Sequence, residues 1–332
     1  MASAILQQLD TYGPQRCERL TYDQAARYTR ELAESHYENF TVVSWLLPAR
    51  LREDFRNVYA FCRWADDLGD ETGDPQRSLE LLAWWRREID ACYAGEPRHP
   101  VFVALSRTIA EHDIPRKPFD DLVDAFIQDQ TVRRYDTFEQ VLDYCTRSAN
   151  PVGRLVLYLC GYRDEERQRL SDATCTALQL ANFWQDVRRD ILERDRVYVP
   201  ADVASRHGLD ISLMVKAVRI DEEAGPRCSA CGPDRQTPSA GMNALLPAYR
   251  ATIRELVDRT WPLFKEGRAL WPMVARDVRL DIKLFTLGGE AILRMIERLN
   301  YNTLMTRPSL SKGAKLVLFL RAVAGKLTGG WA

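Results

Sequence analysis

A chain of 332 residues can hold one large core or two smaller ones, and a composition of 46% hydrophobic and 28% charged residues is that of a globular protein. The formal net charge of −1 leaves no overall basic surface for a polyanion, which excludes nucleic acid as the expected partner. No basic-apolar-cleavable start is present and no uncharged run approaches the ~18 residues of a spanning helix, so a cytoplasmic location is expected.

Apolar residues recur at three- and four-residue spacing over 23–35, 50–70, 75–92, 119–131, 138–148, 171–194, 241–264 and 273–303, which predicts helices there. Alternating β-branched runs are nearly absent. Turn residues fall between the periodic stretches, at 73–76, 95–100, 150–151 and 306–313. The pattern is that of an all-α protein, read as a single domain over residues 1–332. Residues 224–241 interrupt it with three glycines and three prolines and read as a mobile loop. The cysteines are scattered singly apart from Cys228 and Cys231 in that loop, so no disulfide framework is expected. A closed zinc site needs four ligands, and no second Cys or His pair lies near these two.

Two stretches put carboxylates into otherwise apolar helices: CRWADDLGDE at 62–71, and QLANFWQDVRRDILERDRVYVP at 179–200. Residues four apart share a helix face, so Asp66 projects with Asp70 and Asp186 with Asp190. Like charges at that spacing repel, and one such pair alone would read as a solvated acidic face. The surroundings argue otherwise. Leu178, Leu180, Ala181, Phe183, Trp184, Val187 and Ile191 cover most of the second helix, leaving Gln179, Asn182, Asp186 and Asp190 as one polar stripe. A helix apolar nearly all round is buried, and buried carboxylates are costly without a partner. Tyr59, Arg63, Asp66 and Asp70 form a comparable stripe in the first stretch. Two such helices facing across a cavity would make an oxygen-rich site suited to Mg²⁺ and a substrate diphosphate.

YAFCRWADDLGDE and QLANFWQDVRRD...RVYVP resemble the two aspartate-rich signatures of the squalene/phytoene synthase family, over a span from about His36 to Ser311. The resemblance implies the all-helical class I terpenoid synthase fold, a helical bundle around a central cavity. It also implies that Asp66, Asp70, Asn182, Asp186 and Asp190 hold Mg²⁺. His36, Asn39, Tyr59, Arg63 and Gln179 match positions that contact the diphosphate or the reacting end of the chain, and Tyr144 matches a tyrosine near the reacting carbons. His99, His112 and His207 lack this context and are read as surface residues.

SHYENFTVVSWLLP, NPVGRLVLYLCGY and LWPMVARDVRLDIKLFTLGGEAILRMIE narrow the resemblance to the hydroxysqualene-forming members of the bacterial hopanoid route. These would ionise presqualene diphosphate and let water capture the cation, releasing diphosphate. Two departures bear on that. Condensing members carry Arg immediately before the central aspartate of the second motif, where this chain has Gln185, and a late Tyr where this chain has Gly289. Loss of a fixed cation favours a substrate with one diphosphate, and the neutral Gln185 could position the water. The alternatives are a synthase joining two farnesyl or geranylgeranyl diphosphates and a non-catalytic assembly factor of the same fold. The C-terminal SLSKGAKLVLFLRAVAGKL reads either as a basic amphipathic helix at a membrane face or as a helix packed on the bundle.

Overall fold

The protein is described here by a computed structural model covering residues 5–35, 48–223 and 239–309. After a helical turn at Leu9–Tyr12 come α1 (Tyr22–Ser35), α2 (Arg52–Asp70), α3 (Pro75–Tyr93), α4 (Pro100–His112), α5 (Lys117–Gln128) and α6 (Phe138–Ser148). They are followed by α7 (Asn150–Leu159), α8 (Glu165–Arg194), α9 (Ala201–Arg206), α10 (Ile211–Glu223), α11 (Ala240–Gly267) and α12 (Arg276–Arg298). Extended pairing among the described residues is limited to two isolated bridges, Tyr12 with Cys17 and Arg134 with Val197. The all-α expectation is met.

Four helices go beyond the periodic stretches: α4, α7, α9 and α10. Pro100 and Pro151, which read as breaks, instead sit in the first turns of α4 and α7. Proline is tolerated there because the N–H it lacks has no intrahelical partner. On α10 the apolar pattern is blurred by Leu213 and Ile220, both exposed. Residues 239–241, placed in the expected loop, form the cap and first turn of α11, with the Ser239 hydroxyl accepting from the Met242 N–H at 3.2 Å. Cys228, Cys231, His36, Asn39 and the C-terminal stretch from 310 lie outside the described residues. The described cysteines are all unpaired thiols. No described helix is long and apolar enough to cross a membrane.

The chain forms two compact units. The first comprises Met1–Thr131, Tyr144–Cys175 and Ala269–Ile282; the second, Val132–Asp143, Thr176–Arg268 and Lys283–Ala332. In the first, α2 is the central helix, packed against α1, α3, α4, α5 and α7. Its Phe61 and Trp64 are fully buried, and Trp64 stacks on Trp85 of α3 with ring centroids 5.4 Å apart. Such aromatic pairs add about 0.5–1.5 kcal/mol beyond the area they bury. A buried amide ties the layers together: Asn57 accepts from Thr29 on α1 at 2.7 Å and donates to Thr108 on α4 at 3.1 Å.

His99 is no surface residue. It is fully buried against Trp64, Trp84 and Trp85, and its Nδ1 caps α4 by accepting the Val101 N–H at 3.2 Å. Burial depresses its pKa to about 3, so the ring is neutral. The sequence context of a basic, proline-rich turn hid this, because the aromatic cage comes from other elements. His112 and His207 are only partly exposed and face Asp54 and Glu255.

In the second unit, α9 and α10 pack on α11. Trp184 of α8 donates to Thr260 of α11 at 3.0 Å, and Phe183 stacks on Tyr198, which stacks on Tyr135. Gly289 of α12 is a contact point. A Cβ there would lie 2.5 Å from Phe264 and 2.6 Å from Leu178, so the absence of a side chain lets three helices meet.

Candidate active site

The first acidic motif occupies the last turns of α2. Arg63 lies between two carboxylates, 2.5 Å from Asp67 and 3.5 Å from Asp66. Asp67 is fully buried, whereas Asp66 and Asp70 are half-buried. The closer partner of Arg63 is thus Asp67, a residue the polar stripe did not include. The i,i+4 spacing from Arg63 was the available signal. Burial lifts the Tyr59 hydroxyl above its ordinary pKa, with the Arg63 charge opposing. The end of the helix is pinned by the Gly69 carbonyl, which accepts from Ser78 and from Gln130, each at 3.0 Å. In the same unit the buried Tyr144 hydroxyl donates to the buried Asp129 carboxylate at 2.7 Å, which fixes the ring.

The second motif lies on α8 within the second unit. Asp186 and Asp190 are buried, Gln179 is half-buried and Asn182 is exposed, so the stripe grades from solvent into the protein. The Asn182 amide donates to Asp186 at 3.3 Å. Burial first, and then the Asp186 charge, push Asp190 up to about 7. The intervening arginines turn elsewhere: Arg188 pairs with Asp221 and Glu222, and Arg189 with Glu193.

Besides Arg189, Arg194 and Arg196, whose charges oppose the rise at Asp190, a cation reaches this motif from far along the chain. Arg307 approaches Asp186 with two nitrogens, Nε to Oδ1 at 2.5 Å and Nη2 to Oδ2 at 3.0 Å. Next to it, the Gln185 amide donates to the Pro308 carbonyl at 2.5 Å. The expectation that Gln185 leaves this motif without a fixed cation is therefore corrected: a guanidinium is delivered to the neighbouring aspartate across 121 residues. No local spacing could have revealed it. The Gln185 amide nitrogen, committed to the backbone, anchors the segment that carries Arg307.

A buried carboxylate held near neutrality beside a second carboxylate suits a bound cation, and Asp186, Asp190 and the Asn182 amide oxygen are the hard donors that Mg²⁺ takes. Among the described residues no three carboxylate, imidazole or thiol groups converge as a complete cage. Such a cation would draw its remaining oxygens from water and diphosphate.

The family model described as squalene/phytoene synthase matches residues 33–223, which contain both motifs. The chain is 32% identical over 263 residues to hydroxysqualene synthase of Rhodopseudomonas palustris, covering 78% of this chain and 80% of that one. It is 29% identical to phytoene synthase of Thermus thermophilus, covering 87% and 89%. The crystal structure of squalene synthase HpnC from Alicyclobacillus acidocaldarius superposes with a TM-score of 0.71 at 42% identity, covering 85% of this chain and 96% of that one. Its helical architecture is that of the terpenoid synthases. With the match spanning both acidic motifs, the chain belongs to the squalene/phytoene synthase family.

Proposed function

We propose that this protein is a Mg²⁺-dependent hydroxysqualene synthase, converting presqualene diphosphate and water to hydroxysqualene and diphosphate. The observation that carries this reading is the similarity, over 78% of the chain, to a relative named hydroxysqualene synthase. The family as a whole comprises prenyl-transferring enzymes.

Asp66, Asp70, Asn182, Asp186 and Asp190 are the proposed metal ligands. When bound, Mg²⁺ supplies Lewis-acid neutralisation of the diphosphate oxygens. Arg63 and Arg307 are each charge-assisted donors suited to diphosphate oxygens, and a two-pronged guanidinium suits a phosphate as well as it suits Asp186. Gln185 positions Arg307 by holding Pro308. His36, Asn39, Tyr59 and Gln179 are assigned to the diphosphate and the reacting end of the substrate, and Tyr144, steadied by Asp129, to the reacting carbons.

A condensing synthase acting on two farnesyl diphosphates is the second reading. It is favoured by Arg307, which restores at Asp186 a cation that the Gln185 substitution removes, and by the similarity to a phytoene synthase. Product analysis in ¹⁸O-water separates the two. Purified enzyme with Mg²⁺ is expected to turn presqualene diphosphate into an ¹⁸O-labelled C30 alcohol. Absence of the labelled alcohol, with farnesyl diphosphate alone consumed to presqualene diphosphate or squalene, would establish the condensing reaction instead.

A further inference from the structure

A groove of about 620 Å³ opens on α11 in the second unit and shares no lining residue with the acidic motif. Arg250 and Arg254 line it, four residues apart on one helix face, where like charges repel. Among the described residues neither forms an ion pair with a carboxylate. Arg250 is half-buried, and its Nε is closed off from solvent without a hydrogen-bond partner. The Arg254 guanidinium lies 5.0 Å from the centre of the Tyr301 ring.

Among the described residues no carboxylate lies within ion-pair distance of either guanidinium. Glu255 is already engaged by Arg206 at 2.8 Å, Arg259 at 2.7 Å and His207 at 2.7 Å. Asp258, at the rim, is exposed. The far wall, Asn300–Tyr301, has both residues in the left-handed region, with φ of 50° and 59°. The pair caps the C-terminus of α12, where the Tyr301 N–H donates to the Ile296 carbonyl at 2.9 Å and the Asn300 N–H to the Glu297 carbonyl at 2.8 Å, which accounts for the left-handed backbone.

We propose that this groove binds a phosphate-bearing anion between Arg250 and Arg254, either a soluble phosphate or diphosphate or the headgroup of an anionic phospholipid. Two forked guanidiniums without carboxylate partners match phosphate oxygens, the Tyr301 ring supplies an apolar wall, and the volume falls within the ~300–1,000 Å³ of small-ligand sites.

The test uses the full chain in EDTA, which removes metal-dependent diphosphate binding at the acidic motifs. Inorganic diphosphate is titrated calorimetrically, and phosphatidylcholine vesicles with and without phosphatidic acid are used in co-sedimentation. The wild type should bind one of these probes, and the R250Q/R254Q double variant should bind it at least tenfold more weakly, while its turnover, measured separately with Mg²⁺ and no chelator, stays within twofold of the wild type. A loss confined to the calorimetric arm identifies the soluble anion; a loss confined to the vesicles identifies the lipid headgroup. The R250K/R254K variant keeps the charge and guards against misfolding, and should bind several-fold more weakly because an ammonium lacks the planar fork. Failure of the wild type to bind either probe, or wild-type affinity in a folded variant of either kind, overturns the proposal.

Discussion

Asp186 and Asp190 stand one helical turn apart in a buried setting, and Arg307 pairs with the first of them while the second is held near neutrality. A cation entering this motif must share Asp186 with the guanidinium. Arg307→Gln is therefore expected to act in two opposed ways. It should lower kcat by about a hundredfold, the ~2.7 kcal/mol of a lost charge-assisted donor pair in the transition state. It should also lower the Mg²⁺ concentration for half-maximal rate, because a competing positive charge is gone. Steady-state kinetics over a Mg²⁺ series reads both, and a raised Mg²⁺ requirement would contradict this role for Arg307. His99 gives a second prediction at this scale. Its folded pKa is about 3, against about 6.5 for an exposed imidazole, so below pH 6.5 the unfolded chain binds a proton that the folded protein does not. Its contribution to stability is complete above pH 6.5 and is lost as pH falls toward 3. Between pH 7 and pH 5 the loss is roughly 2 kcal/mol. Urea unfolding at the two pH values should show a smaller drop for His99→Asn, which retains a capping acceptor. Equal drops would mean that the ring is not buried neutral.

Elements of the second unit meet where side chains are smallest. The periodicity of 273–303 predicted a helix, and α12 occupies most of it, but the reason for Gly289 lies in Phe264 of α11 and Leu178 of α8. Gly289→Ala places a methyl within 2.5 Å of the Phe264 ring, and overpacking of this kind costs about 1–3 kcal/mol. A lowered urea midpoint with an unchanged slope is the expected result; an unchanged or higher midpoint would show that the helices move apart freely. A tyrosine at this position has no room without displacing that contact. The segment after α12 is likewise placed by tertiary contacts. Tyr249 bonds the Thr303 hydroxyl at 2.5 Å, and Gln185 and Asp186 hold Pro308 and Arg307. Residues 306–308, which read as punctuation, thereby reach the second motif.

At the scale of the whole molecule, the internal counter-charges lead to the expectation that the chain folds without a metal. Arg63 faces Asp66 and Asp67, and Arg307 faces Asp186. Removing divalent ions with EDTA should shift the melting temperature of substrate-free protein by no more than about 2 °C, while a metal that binds only the folded state tightly would stabilise it measurably. Calorimetry with and without the chelator checks this, and a fall of about 10 °C would show that the acidic motifs depend on the ion for folding. The helical class, most helix positions and the two acidic motifs were legible in the sequence because they rest on local periodicity: spacing of three and four sets which residues share a face, whatever the rest of the chain does. Asp67 was within reach of the same rule. His99 and Arg307 were not, since a histidine becomes a buried neutral cap only inside a cage of tryptophans, and an arginine becomes the partner of Asp186 only when 121 residues of chain bring it there. Sequence by itself determined which side chains could line a helix face and carry charge there. Tertiary structure alone decided which charges were neutralised and by whom, because burial and Coulomb attraction depend on distances that chain spacing does not set.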